Sequence, residues 1–160
     1  MSGTLTLRHR HSTRRVDLRL LRRVAQALLH DTQPNENFDL GIYLVAAPEM
    51  TRLNETFLRH KGSTDVITFN YTEPRDQPCL HGEIFICLDE AISQARRFHT
   101  TWQSELVRYV VHGVLHLLGY DDRNSRARRQ MKAAEDALAR RLARQFVFAA
   151  LSKPGNGSRT

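Results

Sequence analysis

The chain has 160 residues, 41% hydrophobic and 26% charged, the size and balance of one globular domain that buries its core without disulfides. No apolar run approaches the roughly 20 residues that span a bilayer, and the basic start Met1–Arg15 leads into no apolar stretch, so neither a membrane span nor a secretory signal is expected and the cytoplasm is the default location. A net charge of +7 favours polyanionic partners, nucleic acid first, and the arginines cluster as Arg8, Arg10, Arg14 and Arg15 and again as Arg123, Arg126, Arg128 and Arg129.

In chain order, Leu5 and Leu7 between polar and basic neighbours predict a short strand. Asp17 to His30 predicts a helix whose apolar positions, with Val16 ahead of it, are Leu20, Val24 and Leu28. Thr32 to Asn37, with Pro34, reads as a loop, and Phe38 to Ala47 as a strand. Pro48 suits the first turn of a helix through Met50, Leu53 and Phe57 to about Arg59. His60 to Ser63 is a turn, Thr64 to Tyr71 a strand, Thr72 to Leu80 a loop with Pro74 and Pro78, and Gly82 to Leu88 a further strand. Asp89 to His99 is helical. Thr100 or Thr101 can cap a helix that runs to Leu118 and stops at Gly119, and Ser125 to Phe148 is a long charged helix with Met131, Ala134, Leu138 and Leu142 on one face. Trp102, Tyr109 and Tyr120 read as core aromatics. Residues 1–151 form one domain, and Ser152 to Thr160 has the composition of a disordered tail. The two cysteines, Cys79 and Cys87, make neither a C-x-x-C pair nor a disulfide framework. The expected fold is α/β of the α+β type: a mixed sheet of about four strands covered by helices.

Chemistry concentrates between Val111 and Asp122. His112 and His116 are four apart on a predicted helix, so their imidazoles share one face and can hold one metal ion. Gly119 lets the chain turn back and bring Asp121 and Asp122 toward that face, where a carboxylate can be the third ligand. Three protein ligands and an open position are the pattern of a catalytic zinc site. The spacing matches zincin metalloproteases, which supply their third ligand from such a turn. Those enzymes need Glu after the first histidine as general base, and here that residue is Gly113.

The segment resembles the YbeY family of ribosomal RNA maturation endoribonucleases, with its signature His-Gly-x-Leu-His-Leu-x-Gly-Tyr-Asp-His. The pattern fits from His112 to Asp121 and departs at Asp122, which stands in place of the last histidine. Further blocks resemble the family at Leu53-Asn54 through Thr64-Asp65-Val66-Ile67-Thr68-Phe69, at Gly82-Glu83-Ile84-Phe85-Ile86 and at Gln94-Ala95, so the likeness covers about Phe38 to Met131. It implies a single zincin-like domain with its metal site on a C-terminal helix and the turn after it. It also implies one Zn2+ ion, cleavage of single-stranded RNA and work on small-subunit ribosomal RNA near the ribosome.

Within that resemblance the metal ligands are His112, His116 and Asp122. Asp121 orients a water or hydrogen-bonds a ligand histidine. The family's arginine after the aromatic is displaced here, because Leu58 follows Phe57, which leaves Arg59 or Lys61 to face the phosphate; Arg59 is taken as the catalytic one. Asp65 fits a turn role better than a catalytic one. Two other readings remain: an RNA-binding ribosome-assembly factor whose metal is structural, and a metalloprotease, which Gly113 opposes.

Overall fold

Strands and helices alternate in the first half of the chain, and the second half is helical. The computed structural model describes residues 3–11, 14–34, 36–73 and 79–152. Four strands, β1 (Gly3–His9), β2 (Asn37–Val45), β3 (Val66–Asn70) and β4 (Cys79–Cys87), form one sheet in the order β1-β2-β4-β3. β1, β2 and β4 run parallel. β3 lies on the edge antiparallel to β4, pairing Ile67 with Phe85 and Asn70 with Gly82. Among the described residues there are five α-helices: α1 (Leu18–Thr32), α2 (Ala47–Leu53), α3 (Leu88–Phe98), α4 (Trp102–Leu117) and α5 (Ser125–Gln145). This is an α+β fold on the mixed four-stranded sheet that the patterning predicts.

Side chains alternate across each strand, and both faces of the sheet are used. Leu40, Ile42 and Leu44 of β2 and Leu80, Ile84 and Ile86 of β4 face α1, α3, α4 and α5 in the main core. On the other face Val45, Ile67, Phe85 and Cys87 form a smaller core under Met50 and Leu53 of α2. Asp17 caps α1 by accepting the Leu20 N–H at 3.1 Å, and Thr101 caps α4 by accepting that of Ser104 at 3.2 Å. α4 is buried along most of its length. It approaches β4 closely because a Cβ at Gly113 would lie 2.7 Å from Ile84 Cγ2.

Five local readings change. β4 starts at Cys79, inside the stretch read as a loop, because Cys79 and Leu80 pair in register with Asn37 and Phe38 of β2; residues 74–78, with Pro74 and Pro78, lie outside the described residues. The helix starting at Pro48 gives way to a π turn over Asn54–Leu58 and ends at Arg59, which adopts φ 57°. The last helix stops at Gln145, and Phe148–Ser152 forms a 3-10 turn. That turn buries Leu151, whose carbonyl accepts the Asp17 N–H at 2.8 Å and ties the end of the described chain to the start of α1. Of the tail, Ser152 closes the 3-10 turn and residues 153–160 lie outside the described residues. Finally, Tyr120 is 41% exposed, unlike the buried Tyr109.

Candidate metal centre

α4 carries His112 and His116 one turn apart, with ring centroids 4.7 Å from each other and planes at 74°. Both rings are half-buried. The helix ends at Leu117, one residue after His116, in a hydrogen-bonded stop capped by Leu118. The Tyr120 N–H donates to Leu115 O at 3.0 Å and the Gly119 N–H to His116 O at 3.0 Å, with Gly119 at φ 103°. These two bonds make a Schellman motif, which needs a positive φ at the residue after the cap and so favours glycine. The chain then turns back through Asp121 and Asp122 to Asn124, which caps α5. Asp121 Oδ1 accepts the Arg123 N–H at 3.2 Å and stiffens this turn, and the Asp122 carbonyl accepts from Arg128 Nη1 at 3.2 Å.

Between α4 and α5 lies a cleft of about 810 Å3, walled by His112, Asp122, Arg128, Arg129, Lys132 and Glu135. Glu135 reaches His112 from α5. Its Oε1 lies 3.0 Å from His112 Nδ1, and its Oε2 accepts from Arg108 Nη1 at 3.1 Å. Arg108 also donates to Asp136 at 2.8 Å, and Lys132 pairs with Asp136 at 3.2 Å. A carboxylate on Nδ1 holds the histidine in the tautomer whose Nε2 is free for a ligand.

The two histidines titrate apart. Burial pulls His112 down, but the hydrogen bond and charge of Glu135, helped by Asp65 and Asp122, outweigh it, and His112 sits above its ordinary value. His116 sits below, through burial and the neighbouring His112, against the weaker pull of Asp122 and Asp121. Burial raises Glu135, but His112 and Arg108 more than offset this and hold it below the usual carboxylate range.

The structure therefore brings His112, His116 and the turn bearing Asp122 to one region. Among the described residues no three His, Cys, Asp or Glu side chains converge closely enough to hold an ion as they stand. The donor chemistry fits zinc, two imidazoles beside a carboxylate, and the Asp122 side chain that shares the cleft is exposed. Arg59 is elsewhere: it is exposed at the end of the π turn and does not line the cleft. Asp65 immediately precedes β3, where its carboxylate accepts the Val66 N–H at 2.8 Å and the Thr64 hydroxyl at 3.3 Å. Asn54, buried at 4% exposure, donates from Nδ2 to Gly62 O at 2.8 Å and holds the loop that follows Arg59. Sequence reasoning missed Glu135 and Arg108. The only mark of Glu135 in the sequence is its place beside the apolar stripe of α5.

Residues 7–143 match the protein family described as Endoribonuclease YbeY. The chain belongs to that family. A Salinibacter ruber protein named Endoribonuclease YbeY is 32% identical over 158 residues, 95% of each chain. A Chlorobium luteolum protein of the same name is 33% identical over 136 residues, covering 85% of this chain and 96% of its own. The solution structure of TM1509 from Thermotoga maritima shares the fold with a TM-score of 0.66 at 23% identity, covering 98% of this chain and 100% of that one. The YbeY match takes in β2, β3 and β4, the end of β1, the histidine pair and nearly all of α5.

Proposed function

We propose that this chain is a zincin-like, metal-dependent endoribonuclease that cleaves single-stranded RNA in the cytoplasm during maturation of small-subunit ribosomal RNA. Endoribonuclease is the activity for which its relatives are named. The observation that carries the proposal is the His112–His116 pair on α4, with His112 in the wall of a cleft that Arg128, Arg129 and Lys132 also line and with Glu135 hydrogen-bonded to its ring. His112, His116 and Asp122 would hold one Zn2+ ion, with the exposed Asp122 side chain turning to complete the set. Zinc, when bound, supplies a Lewis acid that polarises a phosphodiester and acidifies a water.

The protein's own groups do the rest. Glu135 keeps the His112 proton on Nδ1 and so keeps Nε2 available. Asp121 shapes the ligand turn through Arg123. Arg128 and Arg129, already in the cleft wall, offset charge that builds on phosphorus. Arg59 would have to reach in from its loop to share that task. Gly113 leaves no room for a peptidase base, since any side chain there is driven onto Ile84.

The test is purified, metal-loaded protein on labelled single-stranded RNA, with His112→Ala and a chelator alongside. Cleavage lost in both controls supports the proposal. RNA binding without cleavage points to an assembly factor, and cleavage that survives His112→Ala refutes the assigned site.

A further inference from the structure

We propose that a second pocket, beside the turn that carries Asp121 and Asp122, receives one nucleobase of the RNA strand and reads it with the side-chain amide of Gln33. This deepens the endoribonuclease proposal and rests on it.

Gln33 ends α1, where its backbone N–H donates to Leu29 O at 2.9 Å. The residue is 5% exposed, yet neither Nε2 nor Oε1 has a hydrogen-bond partner among the described residues. A primary amide offers two donors and an acceptor with two lone pairs, and a folded chain rarely leaves all of them unused in its interior. Gln33 lines a pocket of about 500 Å3, with Glu36, Leu118, Tyr120, Ala134 and Leu138 among its walls. That volume falls in the range of about 300–1,000 Å3 typical of small-molecule sites. The Thr32 hydroxyl, also at the pocket, is committed to its own helix, donating to Leu28 O at 2.8 Å.

The chemistry selects the occupant. Walls that mix apolar side chains (Leu115, Leu118, Ala134, Leu138) with polar ones, and one buried donor–acceptor pair, suit a flat ring with a polar edge. Glutamine pairs with such an edge in a bidentate way, and its amide can turn over to match either order of donor and acceptor. Single-stranded RNA is recognised in this manner, by splayed bases stacked on aromatic rings and bonded at their edges. Tyr120, 41% exposed, supplies an aromatic ring. The Glu36 carboxylate only accepts, which favours bases with an exocyclic amino group over uracil.

Position agrees with chemistry. α5 separates the two cavities, with Lys132, Glu135 and Asp136 lining the metal cleft and Ala134 and Leu138 the Gln33 pocket. Asp122 borders the first and Tyr120 the second, so the 119–124 turn touches both. Arg123 and Arg126, exposed on that turn and the first turn of α5, can track the phosphates between them.

The experiment is a titration of metal-free, 15N-labelled protein with adenosine, cytidine, guanosine and uridine, followed by NMR. The Gln33 side-chain amide is assigned by its loss in Gln33→Leu. Expected are shifts at that amide and at the Tyr120 and Ala134 backbone amides, weakest with uridine, and their loss in Gln33→Leu. Ala137→Phe, which fills the pocket from its rim and leaves Gln33 in place, should abolish them too. No shift with any nucleoside, meaning that the amide holds water alone, overturns the proposal. So do equal shifts in Gln33→Leu. Cleavage assays separate the two proposals. A wild type that cuts RNA while Gln33→Leu cuts with an identical base preference refutes the pocket. A wild type that cuts no RNA refutes the nuclease, and the nucleoside titration still decides the pocket.

Discussion

Glu135 is the residue whose replacement tests the site most directly, because its carboxylate hydrogen-bonds the His112 ring from α5. Its side chain is 14% exposed and its carboxylate serves His112 at 3.0 Å and Arg108 at 3.1 Å. In Glu135→Ala, Arg108 keeps Asp136 at 2.8 Å, so His112 is the group left without its partner. A hydrogen bond to a charged group contributes about 1.5–3 kcal/mol, which is the expected loss of stability in the metal-free protein. For the metal, removing the group behind a ligand histidine lowers affinity roughly 10- to 100-fold, or about 1.4–2.8 kcal/mol. Glu135→Gln keeps the shape without the charge and should fall at the lower end.

The pH dependence has a defined sign. Glu135 is held below its ordinary value near 4.5, so its contribution is complete above that pH and is lost as pH falls through the depressed value. His112 is held above its ordinary 6.5, so its contribution is complete below that pH and is lost as pH rises through the raised value. The pair therefore stabilises the metal-free protein most between these two values, and Glu135→Gln should flatten that maximum. The assays are thermal unfolding across pH and zinc competition with a chromophoric chelator. Zinc affinities of both variants within about twofold of wild type, while His112→Ala loses the metal, would refute the positioning role, since the expected loss is at least tenfold.

Asp122→Ala should lower zinc affinity sharply as the loss of a ligand, Asp121→Ala only about 10- to 100-fold, and Asp122→His should retain the ion; metal lost in Asp121→Ala but kept in Asp122→Ala puts the ligand one residue earlier. Replacing Arg123, Arg126 and Arg129 together with Ala should weaken RNA binding with little dependence on base sequence and flatten its salt dependence, read by fluorescence anisotropy. An unchanged salt slope refutes phosphate contact there. Gly113→Glu adds bulk 2.7 Å from Ile84 in a buried helix–sheet contact. Overpacking alone costs about 1–3 kcal/mol, and a chain of this size loses roughly 2–4 °C of melting temperature per kcal/mol; an unchanged melting temperature refutes the close packing, and peptidase activity is not expected.

What could be read from the sequence is local. The His112–His116 spacing, a threonine cap at Thr100 or Thr101 and the Gly119 stop are each settled by near neighbours in sequence, because helical period and end-capping act over one or two turns. The alternation in β1, the apolar and β-branched run of β2 and the apolar stripe of α5 announce a sheet covered by helices for the same reason. Tertiary pairing decided the rest. β2 recruits Cys79 and Leu80 into β4, although nearby prolines mark the stretch as a loop. The π turn ends with a positive φ at Arg59, whose exposed side chain is not among those lining the cleft. Glu135 meets His112 across 23 residues of sequence only because Met131, Ala139 and Leu142 dock α5 on the core. The small residues of α5 leave space over the end of α1, and through that packing Gln33 becomes a buried amide with no hydrogen-bond partner among the described residues. Periodicity and caps specify which face a side chain takes on its own element; which face it then meets depends on how distant apolar stripes bury one another.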